Sequence, residues 1–240
     1  MTTLVVGATG ATGKLLVKQL LIMGQKVKLI IRPTAKIPDT WKNNNKVSII
    51  KANIAEVSVD EMVHYLTDCQ SVASCLGHNI TFKGVFGKPR KLVTNAVELI
   101  CTAIMINSHE KPIKFVLMNT TGNRNRDLNE PISFGEKLLM GLIRLLLPPQ
   151  PDNEQAAEYL RTNIGHNDAT IEWTAVRPSS LIDEEQTSEF EIFPSPVRSI
   201  LDDGQISRIN VGHFMADLIT NNELWNSWKG QMPVVYNEGF

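Results

Sequence analysis

Residues 4–14 read LVVGATGATGK, with Gly7, Gly10 and Gly13 spaced three apart at the close of an apolar, β-branched run. The stretch KLLVKQLLIMG (14–24) follows, its apolar residues recurring at three- and four-residue spacing. A strand, a glycine turn and a helix in immediate succession open a βαβ unit of the dinucleotide-binding kind. In such a unit Gly7 makes the tight turn, Gly10 lets the backbone approach a pyrophosphate, and Gly13 brings the helix close to the sheet. The helix N-terminus presents unpaired N–H groups and the positive end of its dipole to the phosphates. Thr9 and Thr12, either side of Gly10 and Ala11, add hydroxyl donors. No P-loop signature, GxxxxGK followed by Ser or Thr, occurs, which disfavours a P-loop kinase or ATPase.

Beyond this turn, short β-branched runs alternate with helical patterns. The runs are TLVVG (3–7), KVKLIIR (26–32), KVSIIKANI (46–54), SVASCLG (71–77), IKFVLMN (113–119) and IEWTAVRP (171–178). Between them lie VDEMVHYL (59–66), LVTNAVELICTAIMI (92–106) and NEQAAEYLRT (153–162), with apolar residues at helical spacing. Near-continuous apolar strands alternating with amphipathic helices imply a parallel sheet covered on both faces. The expected fold class is therefore α/β, a doubly wound parallel sheet of the Rossmann type in one domain over 1–240. Its ligand is expected beyond the carboxyl ends of the strands. The long irregular connections, 78–91, 120–133 (120–151 with the helix that follows) and 183–206, emerge on that side and are candidate substrate contacts.

The end of the second strand decides which dinucleotide fits. A carboxylate there would hold the ribose hydroxyls of NAD and repel a 2′-phosphate. This chain has IIRPTAK: Arg32 stands at the strand end and no acid follows until Asp39. A guanidinium suits a bidentate phosphate contact, so NADP(H) is the expected cofactor.

Composition sets outer bounds. The chain has 240 residues, 42% hydrophobic and 20% charged, with a formal net charge of -1. That balance argues against a nucleic-acid binder relying on a broad basic surface. Cys69, Cys75 and Cys101 form no CxxC pair and read as free thiols of a reducing compartment. The most apolar helical stretch, EKLLMGLIRLLLPP (136–149), is interrupted by Arg144 and halted by two prolines. It is shorter than the ~20 apolar residues that span a bilayer. No membrane span and a cytoplasmic location are expected. His64, His78, His109, His166 and His213 show no metal-ligand spacing, and no metal is expected.

Together these motifs resemble the atypical short-chain dehydrogenase/reductase superfamily, in its NAD(P)H-binding group of NmrA-like proteins and flavin and biliverdin-IXβ reductases. GATGATG resembles the family's glycine turn, and KANI (51–54) its third-strand end, with Asn53 where an Asp usually stands and Ile54 beside it. CLGHN (75–79) resembles the fourth-strand end, where Leu76, Gly77 and His78 would pass under the nicotinamide ribose. FVLMNTTGN (115–123) resembles the fifth strand and its terminus, which places Asn119 and Thr120 beside the nicotinamide. WTAVRPSSL (173–181) resembles the sixth strand, whose Arg177, Pro178 and Ser179 would lead into the nicotinamide pocket. ISRINVGHFMADLI (206–219) resembles the family's late helix.

The resemblance breaks at catalysis. Standard members use Tyr-x-x-x-Lys after the fifth strand, the Tyr exchanging a proton with substrate oxygen. Here Tyr65, Tyr159 and Tyr236 all lack a Lys four residues on, and Tyr159 is followed by Asn163. Asn153 also stands where relatives often carry Lys or His. Thr120 is the remaining catalytic candidate, its hydroxyl placed to polarise a substrate or simply to cap the strand. A hydride can reach a flavin or quinone without a dedicated acid, because such acceptors delocalise the incoming electron pair. The expected activity is hydride transfer to a small-molecule acceptor of that class. An NADP(H) sensor acting through a protein partner and a cofactor-stabilised scaffold remain alternatives, and a homo-oligomer is open.

Three further features stay open at this stage. Lys83, Lys88, Arg90 and Lys91, with Phe82 and Phe86 among them, form a solvated run or hold phosphate or an acidic partner. The apolar helix of 134–147 must bury against the core, act as a lid or meet another subunit, with the core expected. Trp225 and Trp228 share a helical face and are expected to close the hydrophobic edge.

Overall fold

The computed structural model describes residues 1–78, 87–107 and 109–239. Phe82, Lys83 and Phe86, and most of the 78–91 connection, lie outside the described residues. All six expected strands form: β1 (Thr2–Val6), β2 (Lys26–Ile31), β3 (Val47–Lys51), β4 (Ser71–Ser74), β5 (Ile113–Met118) and β6 (Ile171–Pro178). They pair in parallel in the order β3-β2-β1-β4-β5-β6. Leu4 at the centre of β1 stands opposite Lys28 of β2 and Val72 of β4. The chain therefore reverses its direction of travel across the sheet between β1 and β4, which opens a crevice at their carboxyl ends.

Helices cover both faces, as two apolar clusters require. α1 (Ala11–Ile22) buries Leu16, Val17 and Leu20 with Val5, Leu29 and Val116 on one face. α2 (Asp39–Lys42) adds Trp41 to that cluster. The other face holds α3 (Val59–Leu66), α4 (Leu92–Ile106) and α6 (Pro149–Tyr159), whose apolar residues meet Leu4, Phe115 and Trp173. Between them in sequence lies α5 (Phe134–Leu146), and a π-helical turn, Leu160–Ile164, ends α6. α7 (Arg208–Thr220) and α8 (Asn222–Trp228) return to the first face. Gly212 of α7 meets α1 so closely that a Cβ there would sit 2.8 Å from the Leu16 nitrogen. Trp225 is buried and its indole N–H reaches Glu172, so the tryptophan pair closes this edge as the sequence suggested.

Two expectations are corrected. The 183–206 connection is not wholly irregular: it carries β8 (Phe190–Phe193) and leads into β9 (Gln205–Ser207). β8 pairs antiparallel with β10 (Val234–Asn237), which itself runs parallel to β6, extending the sheet to eight strands. β9 pairs with β7 (Ser180–Ile182) in a separate two-stranded ribbon.

The second correction concerns α5. Its start is built as expected, with Ser133 and Glu136 forming a reciprocal capping box. Yet only Met140 is buried, while Phe134, Leu138 and Leu145 are 83%, 70% and 78% exposed. The helix is amphipathic, but its apolar side faces away from the core.

Candidate functional site

The glycine turn has the geometry its spacing implied. Gly7 adopts φ 74°, a region that side chains rarely enter, and its carbonyl accepts from the Gly10 N–H at 3.0 Å. A Cβ on Gly7 would stand 2.4 Å from the Cys75 carbonyl, and one on Gly13 would stand 2.2 Å from the Gly7 oxygen. These two glycines let β1, β4 and α1 close on one another. Gly10 is different, because among the described residues a Cβ there would meet only the Gly7 oxygen, at 3.2 Å. Its bareness serves whatever approaches from outside. Gly10 is also the N-cap of α1, with no side-chain cap and no acid in the first turn. The helix therefore begins with unpaired N–H groups, the donor set that a pyrophosphate accepts.

A cavity of about 340 Å³ opens at this turn along the carboxyl ends of β1 to β4. It gathers Gly7, Thr9, Gly10, Arg32, Asn53, Ile54, Leu76, Gly77 and His78 from the predicted site. Ala11, Thr12 and Gly13 lie behind it in the first turn of α1 and do not line it. Arg32 is exposed at one end, where the sequence placed a 2′-phosphate. The Asn53 amide donates to Glu56 at 2.7 Å, which fixes the ring of backbone beyond β3. Lys88 also lines the cavity, so part of the basic run does reach it. Among the described residues that line the cavity, Arg32 and Lys88 are the cations and no Asp or Glu occurs. A polyanion fits such a wall.

Cys75 lines the cavity too, but burial pushes its thiol up to about 12. Cys69 is raised similarly and Cys101 further, so the three free thiols stay protonated and unreactive near neutrality.

At the far end His78 Nε2 lies 2.8 Å from the Asp152 carboxylate of α6. Asp152 also accepts the N–H groups of Val93 and Thr94 and the Thr94 hydroxyl, at 2.7–2.9 Å. It thereby caps α4 from outside that helix. Sequence reasoning missed Asp152 entirely. Its partners lie 58 or more positions away, and no local pattern announces such a cap.

The fifth- and sixth-strand residues do not join the cavity. Asn119 donates to the Asn153 carbonyl at 2.9 Å and accepts from the Thr120 N–H, so its amide ties β5 to α6. Thr120 is half-buried, and its hydroxyl accepts from the Gly122 N–H at 3.3 Å. Arg177 is the clear correction. Its guanidinium is 0% exposed and grips Glu130 through two bonds, at 2.7 and 3.0 Å. Its other N–H groups reach the Met232, Asn123 and Pro194 carbonyls. With its donors spent inside the protein, Arg177 is not a cofactor ligand. Pro178 accepts from Thr121, and Ser179 is buried with its hydroxyl unpartnered among the described residues.

No tyrosine lines the cavity among the described residues. Tyr159 packs against the α3–α4 core, and burial raises its phenol. Among the described residues no group of His, Cys, Asp and Glu could hold a metal, and no helix is long and apolar enough to cross a membrane.

Comparison with known proteins agrees with this geometry. The chain is 27% identical to an uncharacterized chloroplastic protein of Arabidopsis thaliana, over 91% of this chain and 72% of that protein. The fold is shared with the oxidoreductase ylbE of Lactococcus lactis, at TM-score 0.69 and 17% identity over 99% of this chain and 91% of that one. It is equally shared with a short-chain dehydrogenase/reductase of Veillonella parvula solved with NADP, at TM-score 0.68 and 15% identity, covering 99% and 95%. The doubly wound Rossmann-type fold read from the motifs is thus borne out. Residues 7–222 match the NAD(P)H-binding family, and the chain belongs to it.

Proposed function

We propose that this protein is an NADPH-dependent reductase that passes a hydride to a flavin, a quinone or another conjugated carbonyl compound. The observation that carries the reading is the cavity wall. It runs from Arg32, past the uncapped N-terminus of α1, to His78, with cations and no carboxylate among its described lining residues. That wall accommodates a pyrophosphate and a 2′-phosphate together, favouring NADPH over NADH. A flavin or quinone suits a site without a tyrosine acid, because its conjugation spreads the incoming charge. One structure of the same fold, from Streptococcus pneumoniae, is described as a candidate NADH-flavin reductase; it is 19% identical at TM-score 0.68, over 99% of this chain and 100% of that one. The bound dinucleotide supplies the hydride, and the protein supplies alignment and a dry pocket.

The test is loss of the reduced-nicotinamide absorbance when the purified protein is given NADPH with flavin mononucleotide or menadione. Acceptor-dependent loss supports the reading, and NADPH binding with no turnover on any acceptor sinks it. The second outcome favours an NADP(H) sensor acting through a protein partner, a role for which the exposed apolar side of α5 speaks.

A further inference from the structure

We infer that the exposed apolar side of α5 is the contact between two copies of this chain, paired antiparallel about a twofold axis. The inference is independent of the reductase reading above. It starts from the surface. Phe134, Leu138, Leu142, Leu145 and Leu146 of α5, with Leu147 at its end, are between 46% and 83% exposed. They leave on the order of 600 Å² of apolar surface in water, the upper end of what a monomer carries as one patch. Two such faces together hide about 1,200 Å², the lower bound of stable, specific interfaces.

The pattern within the face says what fits it. Phe134, Leu138, Gly141 and Leu145 recur at spacings of four, three and four, which sets them in one stripe along the helix. Gly141 stands in mid-helix, where glycine is less favourable than any residue but proline. Among the described residues a Cβ there would meet nothing within 4 Å, so no packing inside the chain asks for its bareness. A second α5 does. With two such helices antiparallel, Leu138 of one copy seats over Gly141 of the other and Phe134 packs beside Leu145. The twofold axis repeats both contacts, so the stripe is complementary to itself. A leucine over bare backbone lets the helix axes approach closely, and their dipoles run in opposite senses.

Charge argues against a lipid surface as the occupant. A helix lying on a membrane carries a row of cations on its polar side. Here only Lys137 and Arg144 flank the stripe, and Glu154 already holds Arg144 at 2.8 and 3.0 Å. Glu136, on the same helix, is spent on the capping box. With a formal net charge of -1 the chain has little general pull toward anionic lipid. A foreign protein would need a matching stripe of its own, whereas a second copy brings one by symmetry.

The experiment measures the mass of the full chain by light scattering over a concentration series. Wild type should pass from monomer to dimer as concentration rises. Leu138→Glu puts a charge into the seam and should leave a monomer throughout. Gly141→Leu is the discriminating variant. It makes the face more apolar but fills the seat of Leu138, so the dimer Kd should rise at least ~10-fold. A contact that merely covers apolar surface would tighten instead. Within its own chain the new side chain meets open space, so this variant should fold even where Leu138→Glu does not. At dilutions where every chain is a monomer, circular dichroism should find the folded variants no less stable than wild type, because the exposed stripe adds nothing to the single chain's core. A wild type that stays monomeric at every concentration overturns the inference, and so does a dimer that Gly141→Leu leaves intact or tightens. Co-sedimentation of wild type with vesicles of phosphatidylcholine and phosphatidylserine, strengthened in Gly141→Leu, overturns it in favour of a membrane.

Discussion

Arg32 and Arg177 show how differently two arginines at strand ends behave. Arg32 is solvent-exposed on the cavity wall, and Arg177 is sealed inside with Glu130. On the proposed reading, replacing Arg32 by Asp would remove a charge-assisted contact to the 2′-phosphate, a kind of bond worth roughly 1.5–3 kcal/mol. Titration calorimetry should then show the NADPH-to-NADH affinity ratio falling by at least ~10-fold. Arg177→Met leaves Glu130 buried without its partner, which costs about 3–5 kcal/mol of stability. Denaturant unfolding should report that loss, while the surviving folded protein keeps its NADPH affinity. The position of Arg32 on the cavity wall was legible because a strand end beside a glycine turn is a local feature of the sequence. The fate of Arg177 was not, because Glu130 lies 47 residues away and no periodicity links them.

Asp203 adds a pH dependence at the same scale. Burial pushes its carboxyl up to about 6 from 3.8, against the Thr121 hydroxyl and a Ser180 backbone bond that lower it. The folded state therefore holds this proton more tightly than the unfolded chain between those values. Its contribution to stability declines as pH rises through that window. Asp203→Asn lacks this decline, so its melting temperature relative to wild type should rise between about pH 4 and 6, as followed by circular dichroism. A constant difference across that range would show that Asp203 titrates normally.

Among elements, α5 separates what periodicity can and cannot tell. Apolar spacing over 134–147 announces an amphipathic helix, and the capping box at Ser133 and Glu136 marks its start. Periodicity fixes which residues share a side but not what that side meets. Here the core takes Met140 and leaves Phe134, Leu138 and Leu145 outside. Leu138→Ser and Leu145→Ser should each change unfolding free energy by no more than about 0.5 kcal/mol. Met140→Ala should cost about 2–5 kcal/mol, the range for a large buried side chain. Equal effects at all three positions would place the leucines in the core after all. The outer strands teach a related lesson. EFEI (189–192) alternates polar and apolar residues, a strand signal that the Pro-, Ser- and Glu-rich surroundings of 183–206 obscured.

For the whole molecule, the parallel order β3-β2-β1-β4-β5-β6 carries the argument. It sets the ends of β1 and β4 side by side, and the cavity sits where they part. The dinucleotide half of the site was legible because short-range patterns build it: a glycine turn, a helix start and a strand-end cation. The far end of the cavity was less so, because it depends on Asp152 of α6 meeting His78 over 74 positions of sequence and on turns after β5 and β6 that fold inward on their own bonds. The whole account stands on a dinucleotide entering at the α1 N-terminus. Gly10→Val tests this directly, since the backbone there suits a side chain (φ -69°) and a Cβ would face outward, into the path of the phosphates. Calorimetry should find NADPH bound by wild type more tightly than NADH and bound by the variant not at all, with the melting temperature little changed. Undiminished NADPH binding by a folded Gly10→Val protein would contradict the account.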